Sequence, residues 1–350
     1  MSDDDKILNR LRDAIQEDIG CRGLRADPHD NLIDATLQDF AAACRSIAEM
    51  PEPRLAIVTG FTIPGTDPLM SETDGPLGAL FLARALAPLG IGVAIAADGS
   101  AVTALATGLA ACGLTDDVTL ATLPDAPGGY DGTIRGRFQT LRPKYLLDFT
   151  AAVGSFTHLI ALERVGPGHT RESIAREGES AAWNLFPREV PEEQRGRCHS
   201  MRGRDVTAFT RPAHLLFEAP AGAMVGGFTT IGIGDGGNEI GMGKLAWETI
   251  RRNVPRGGLI ACRVPTDHLI VSGVSNWGAY ALAAGVRHVR GVSVSRDLMD
   301  SRQERDLLHA MVEAGPLVDG VTGERTVTVD GLTFERYAQV LQRIHEIAAT

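Results

Sequence analysis

Leu55-Ala56-Ile57-Val58 is a short continuous apolar run that offers no polar face to solvent. A strand of this texture is buried on both sides, as strands are in a parallel sheet covered by helices. Downstream the pattern alternates, predicting a helix over 76–89, a strand over 92–97, a helix over 101–112 and a strand over 118–123. Pro76 suits a first helical turn, where its missing N–H has no partner to lose. Two successive βαβ units predict an α/β fold: an open, mostly parallel, doubly wound (Rossmann-like) sheet with right-handed crossovers and helices on both faces. Further strands are expected at 158–162, 228–233, 259–262, 269–271 and 292–294. Helices are expected at 241–253, 277–284, 303–312 and 334–347, with a small hairpin at 326–329. Residues 125–150 read as a connecting excursion, and the polar, charged stretch 166–211 as a surface insertion or lid.

Upstream of Leu55, apolar residues recur at three and four positions (Ile7, Leu11, Ile15, Ile19; then Leu37, Ala41, Cys44, Ala48), predicting amphipathic helices over 6–19 and 32–48. They carry no motif and are expected to pack on the core. With no linker and no repeat, the chain divides into amino-terminal helices (1–53) and one α/β domain (54–350) holding the insertion at about 166–211. Of 350 residues 44% are apolar, which excludes a disordered chain, and 40 are Gly. Lys and Arg total 34 against 44 Asp and Glu, a net charge of −10; a phosphate-tracking surface for nucleic acid is therefore not expected. The five cysteines form no C-x-x-C pair, as reduced thiols would. An acidic start, Ser2-Asp3-Asp4-Asp5, and no apolar run near the ~20 residues that a bilayer needs lead to the expectation of a soluble cytoplasmic protein without membrane contact.

Ligands of open α/β sheets bind beyond the carboxyl ends of the strands. Four segments there are rich in Gly and polar side chains. The stretch from Thr59-Gly60 to Ser71-Glu72-Thr73-Asp74-Gly75-Pro76 is far longer than the roughly 2–6 residues of an ordinary βα loop. Its carboxylates sit where a helix N-terminus favours negative charge, although Asp74 also reads as a simple N-cap. Gly232-Ile233-Gly234-Asp235-Gly236-Gly237-Asn238-Glu239 satisfies G-x-G-x-x-G literally. Asp235 and Glu239 would place carboxylates inside the nest meant for a pyrophosphate, so an ammonium group or a hard cation fits better. Glu163-Arg164 reads either as a proton-transferring acid beside a carboxylate clamp or as a local ion pair. Ser275 and Asn276 read as helix caps or oxyanion binders. Cys198-His199 and Asp98 are weaker candidates. No zinc, Walker A or nucleophile-elbow motif is present.

Taken in order, Thr59-Gly60-Phe61, Glu72-Thr73-Asp74-Gly75-Pro76, Glu163-Arg164, Met201-Arg202-Gly203, Gly234-Asp235-Gly236-Gly237-Asn238-Glu239 and Gly273-Val274-Ser275-Asn276-Trp277-Gly278 resemble the D-glutamate cyclase carboxy-terminal domain family. The likeness spans about 55–285. It departs from the family pattern at His169-Thr170, where an Asp-Gly is expected, and in the insertion before Met201-Arg202-Gly203. The resemblance implies a hydro-lyase that closes D-glutamate, or a related amino acid, to 5-oxo-D-proline with loss of water. On that basis Arg164 or Arg202 would bind the α-carboxylate, with Thr59, Gly60, Gly234, Gly236, Gly237, Asn238, Ser275 and Asn276 around the substrate. Asp235 or Glu239 would take the ammonium proton, and Glu72, Asp74 or Glu163 would protonate the departing oxygen. The oxyanion would be stabilised by Gly-rich backbone N–H groups, or by a divalent cation (Mg or Mn) held by Asp74, Asp235 and Glu239. The expected partner is a small amino acid or lactam, with a homo-oligomer left open. The alternatives are a nucleotide- or NAD(P)-dependent enzyme using the G-x-G-x-x-G stretch, and a non-catalytic small-molecule-binding protein.

Overall fold

Parallel strands form the centre of the fold in a computed structural model that describes residues 2–65, 67–125, 138–178, 182–218 and 227–349. In chain order the strands are β1 (Arg54–Thr59), β2 (Thr62–Ile63), β3 (Met70–Glu72), β4 (Gly92–Ala97), β5 (Val118–Thr122), β6 (His158–Leu162), β7 (Thr229–Gly234), β8 (His268–Val271), β9 (Leu317–Val318), β10 (Thr328–Val329) and β11 (Leu332–Thr333). The main sheet has the order β5-β4-β1-β6-β7-β8, parallel throughout. The chain builds outward from β1 in one direction, then restarts at β6 on the other side of β1. This is the doubly wound order expected from the alternating texture, with its switch point between β1 and β6. Two smaller sheets flank it, β2-β3-β9 and the hairpin β10-β11.

The helices are α1 (Asp3–Ile15), α2 (Asp39–Ala48), α3 (Pro76–Leu86), α4 (Gly99–Ala111), α5 (Phe138–Val153), α6 (Arg171–Arg176), α7 (Ala182–Glu189), α8 (His214–Phe217), α9 (Trp247–Asn253), α10 (Gly257–Ile260), α11 (Ser275–Val289), α12 (Ser301–Ala314) and α13 (Phe334–Ala348). Alternation along β1 divides them. Leu55 and Ile57 face a core shared with α1, α2, α3, α4, α11, α12 and α13. Ala56 and Val58 face a second core with α5 and α7 to α10. Both faces of the sheet are therefore covered, and Leu55 to Val58 are all at most 1% exposed.

Several elements differ from the sequence expectations, each for a local reason. The helix expected from residue 32 starts at Asp39, because Asn31 accepts from the Asp34 N–H and donates to Asp34 and to the Asp27 carbonyl, holding a separate turn. The helix expected from 241 starts at Trp247: Gly241 and Gly243 instead donate to the Val264 carbonyl. The strand expected at 259–262 is the single-turn α10, whose apolar run packs against the Gly-rich loop through Cys262 N–H to the Gly237 carbonyl. Residues 292–294 form no strand; Val292 N–H and the Arg287 side chain use this stretch to close the end of α11. Residues 126–137 of the expected excursion lie outside the described residues, and α5 follows them. The hairpin pairs Thr328 with Thr333 and Val329 with Leu332, slightly beyond its expected place.

The segment after α1 crosses the turn between β8 and α11. There Gly273 N–H donates to the Ile15 carbonyl, and a Cβ on Gly273 would lie 1.8 Å from the Glu17 carbonyl oxygen. Gly273→Ala is therefore expected to destabilise the protein by about 1–3 kcal/mol, the range for overpacking a tight contact, measured by urea unfolding. An unchanged midpoint would show that this crossing yields freely.

Candidate active site

The carboxyl edge of the sheet gathers the chemistry. Thr59 and Gly60 end β1, Glu163 follows β6, Asp235 follows β7, and Ser275 begins α11 beyond β8. Glu163 is held at φ +44°, in the left-handed region that a side chain adopts at some cost. The small sheet folds the long loop back, so that Glu72 at the end of β3 joins them. A cavity of about 240 Å³ opens here, lined by Glu72, Glu163, Asp235, Asn238 and Asp330 together with Arg22, Arg202 and Arg204. Its size suits a ligand no larger than an amino acid, since drug-sized sites run to roughly 300–1,000 Å³.

Two helices exchange caps beneath this cavity. Asp74, expected as the N-cap of α3, instead accepts from the backbone N–H groups of Ser275 (2.9 Å) and Asn276 (2.8 Å) at the start of α11. Asn276 in turn accepts on Oδ1 from Gly75 N–H (2.8 Å) and Gly78 N–H (2.7 Å) at the start of α3. Ser275 does not cap its own helix; its Oγ donates to Glu163 Oε2 at 2.5 Å. Gly75 takes φ +92°, and a Cβ there would sit 2.6 Å from Thr59 Oγ1, so the interlock needs glycine. Asn276 Nδ2 donates to the Thr73 carbonyl at 3.3 Å, which leaves its oxygen facing α3. Further along α11 the Tyr280 and Tyr337 hydroxyls meet, and Tyr280 donates to Glu304, which is paired with Arg84.

The Gly-rich loop is already filled. Glu239 accepts from the backbone N–H groups of Asp235 (3.2 Å), Gly236 (2.7 Å) and Gly237 (2.8 Å). These are the amides a pyrophosphate would need, and a fixed carboxylate occupies them. The same observation corrects the expectation that these amides stabilise an oxyanion, and it leaves Glu239 as the anchor of the loop. Gly236 lies under Met201, whose Sδ a Cβ would meet at 2.4 Å.

Carboxylate oxygens of Asp74, Glu163 and Asp235 lie within 4.8 Å of one another, all three residues buried. This set differs from the expected Asp74, Asp235 and Glu239: Glu163 takes the place of Glu239. Burial first, and then the neighbouring acids, push Glu72, Asp74 and Glu163 well above the usual carboxylate range. The charge of Asp235, close beside Asp74, is one of the causes that raise Asp74. Burial raises Asp235 to about 6, against the pull of Arg22. Asp330 rises to about 7, again through burial opposed by Arg22. The site thus sets carboxyl groups of raised pKa beside Asp235, which at about 6 is ionised at neutral pH, the kind of unequal pairing that acid–base chemistry uses.

Arg164 is fully buried and turned elsewhere: it pairs with Asp98 (2.5 Å) and donates to the carbonyls of Gly60 and Arg211. The guanidinium is engaged away from the cavity, as in the ion-pair reading of Glu163-Arg164, although the partner is Asp98. Arg202 does line the cavity. The Cys198 thiol is pushed up to about 12 by burial, and His199 bonds Gln194, so the pair lacks a thiolate nucleophile. Sequence reasoning missed Arg22 and Asp330. Arg22 pairs with both Asp235 and Asp330, at 3.0 Å from the latter. Asp330-Gly331, both at positive φ, form the tip of the β10-β11 hairpin, and this Asp-Gly turn is the one signal that pointed there. Arg22 lies in a loop without pattern.

A family model described as D-glutamate cyclase-like, C-terminal, matches residues 11–180 and 189–345. The human protein named D-glutamate cyclase, mitochondrial, is 28% identical over 363 aligned residues, covering 97% of this chain and 52% of that protein. The chain spans about half the length of this curated relative. No helix among the described residues is long and apolar enough to cross a membrane.

A carboxyl whose pKa is raised by folding stabilises fully below its unfolded value and loses that contribution as pH climbs toward the folded value. Glu72 has an ordinary value of 4.5 and a buried Oε1 without a hydrogen-bond partner among the described residues. Glu72→Gln is therefore expected to gain stability over the parent as pH rises above about 4.5, by up to about 1.4 kcal/mol per pH unit. Buried histidines such as His158 and His214, lowered to about 4 by burial, act in the opposite sense and cancel in the difference. Parallel stability curves for the two proteins between pH 5 and 7.5 would refute the assignment.

Proposed function

The chain belongs to the D-glutamate cyclase-like C-terminal family, and on that premise we propose that it is a hydro-lyase closing D-glutamate, or a closely related amino acid, to the five-membered lactam. The observation that carries this reading is the set of protonated and ionised carboxyl groups around a cavity of amino-acid size. Lactam formation makes one C–N bond and breaks one C–O bond. Two protons leave the nitrogen and two reach the departing oxygen, which goes as water, so the acids lend protons and regain them.

In this reading Asp235 takes a proton from the ammonium group, being ionised at neutral pH and adjacent to Arg22. Protonated Glu163 or Glu72 gives one to the oxygen that leaves. Asp74, held by the amides of α11, fixes the geometry beside Asp235. Arg202 faces the α-carboxylate. Ser275 keeps the Glu163 carboxyl in one orientation. The all-oxygen donor set of Asp74, Glu163 and Asp235 fits a hard divalent cation such as Mg²⁺ or Mn²⁺, which when bound would supply Lewis-acid polarisation of a carboxyl group. The nucleotide-dependent alternative loses its main support, because Glu239 fills the loop that would bind phosphate.

Incubation of the protein with D-glutamate, followed by mass, is expected to yield a product lighter by one water. Asp235→Asn is expected to lower that turnover by at least about 100-fold, the scale of a general base, and to lower Tm as well because it breaks the buried pair with Arg22. Full activity in this variant would exclude Asp235 as the base. For the cation, addition of Mn²⁺ is expected to raise Tm more at pH 8 than at pH 6, since the metal must displace protons from the carboxyl groups. An equal or absent shift at both pH values would remove the metal from the scheme.

A further inference from the structure

The cavity is electrically polar along its depth. Its floor is acidic, with Glu72, Glu163 and Asp235, and Asn238 contributes an Oδ1 that is buried and has no hydrogen-bond partner among the described residues. The mouth carries Arg202 and Arg204. Both stand on a tight hairpin in which His199 pairs with Asp205, Ser200 N–H donates to the Arg204 carbonyl and Gly203 N–H returns to Ser200 at φ +76°. Asn238 fastens this hairpin to the Gly-rich loop by donating to the His199 carbonyl at 2.9 Å.

The two arginines do not hang free in solvent. Arg202 Nη2 donates to the Val321 carbonyl at 2.7 Å, and Arg204 Nη1 donates to the Pro64 carbonyl at 3.0 Å. Each thus reaches across the mouth to a different loop and rests on a neutral acceptor. Neither forms an ion pair with a carboxylate among the described residues, whereas Arg22, Arg84 and Arg164 all do. Two guanidinium groups held over a cavity with no anionic partner keep donors for a carboxylate, the anion their fork geometry matches.

We propose that Arg202 and Arg204 form the carboxylate subsite of the cavity, so that an amino acid enters nitrogen first, and that Arg204 determines specificity for ligands bearing that carboxylate. The identity of the ligand rests on the cyclase reading; the subsite itself rests on the arginines. With the nitrogen at the acidic floor and Asn238 Oδ1, the α-carboxylate lies at the mouth in both substrate and lactam. A ligand lacking it gains nothing from either arginine.

Calorimetric binding to the full chain and to Arg204→Met tests this with four probes. D-glutamate and 5-oxo-D-proline carry the α-carboxylate; 4-aminobutanoate and 2-pyrrolidinone are the same skeletons without it. Loss of a charge-assisted hydrogen bond predicts affinity for the first two weaker by about 10- to 100-fold, with the second two unchanged. Arg204→Lys should recover part of the loss, and Tm without ligand should change little, since only one hydrogen bond from an exposed side chain to the Pro64 carbonyl is lost. Equal losses for all four probes, no loss for any, or failure of the parent to bind either carboxylate ligand would overturn the subsite. Binding without conversion of D-glutamate would instead refute the cyclase reading while leaving the arginine assignment standing.

Discussion

The exchange of caps between Asp74 and Asn276 is the constraint on which the rest of the site depends. A helix start leaves backbone N–H groups without partners, and burying them unpaired costs roughly 1–3 kcal/mol each. Here each of two buried helices satisfies its orphan donors with a side chain from the other. The loop after β3 and the turn after β8 are consequently fixed against each other. Asp74, Ser275 and Glu163 then meet, whatever the rest of the long loop does. The Thr73 carbonyl, accepting from Asn276 Nδ2, fixes the amide so that its oxygen points to α3.

Crowded acids would ordinarily repel one another out of such an arrangement. Four features offset this repulsion. Helix N-termini offer partial positive charge to Asp74. Backbone amides of the Gly-rich loop neutralise Glu239 locally. Arg22 bridges Asp235 and Asp330, and the remaining carboxyl groups keep their protons. The energy of the arrangement lies in protonation as much as in contacts.

Much of this was legible in the order of residues. The run Leu55 to Val58 reads as a doubly buried strand because the alternating strand and helix patterns that follow it supply helices to cover both faces. The sites at Glu72, Asp74, Glu163 and Asp235 were legible because the carboxyl edge of such a sheet is where ligands bind. Local chemistry was less legible where partners are distant. Asp74 looks like the cap of the helix that follows it, and only the fold shows that it serves α11. Arg164 looks like a carboxylate clamp until Asp98 is brought beside it. The strand expected at 259–262 failed because a short apolar run fits a buried helical turn equally well. Arg22 had no local signal at all, since its role is set by residues far along the chain.

That distance has a consequence for folding. Arg22 and Asp330 are separated by almost all of the described residues, yet they meet over Asp235. A contact between residues so far apart in sequence carries a loop-closure cost that is offset only once the sheet between them has formed. The wall of the cavity that carries Asp330 therefore closes after the sheet and α11 are in place, and until it does Arg22 has one aspartate rather than two.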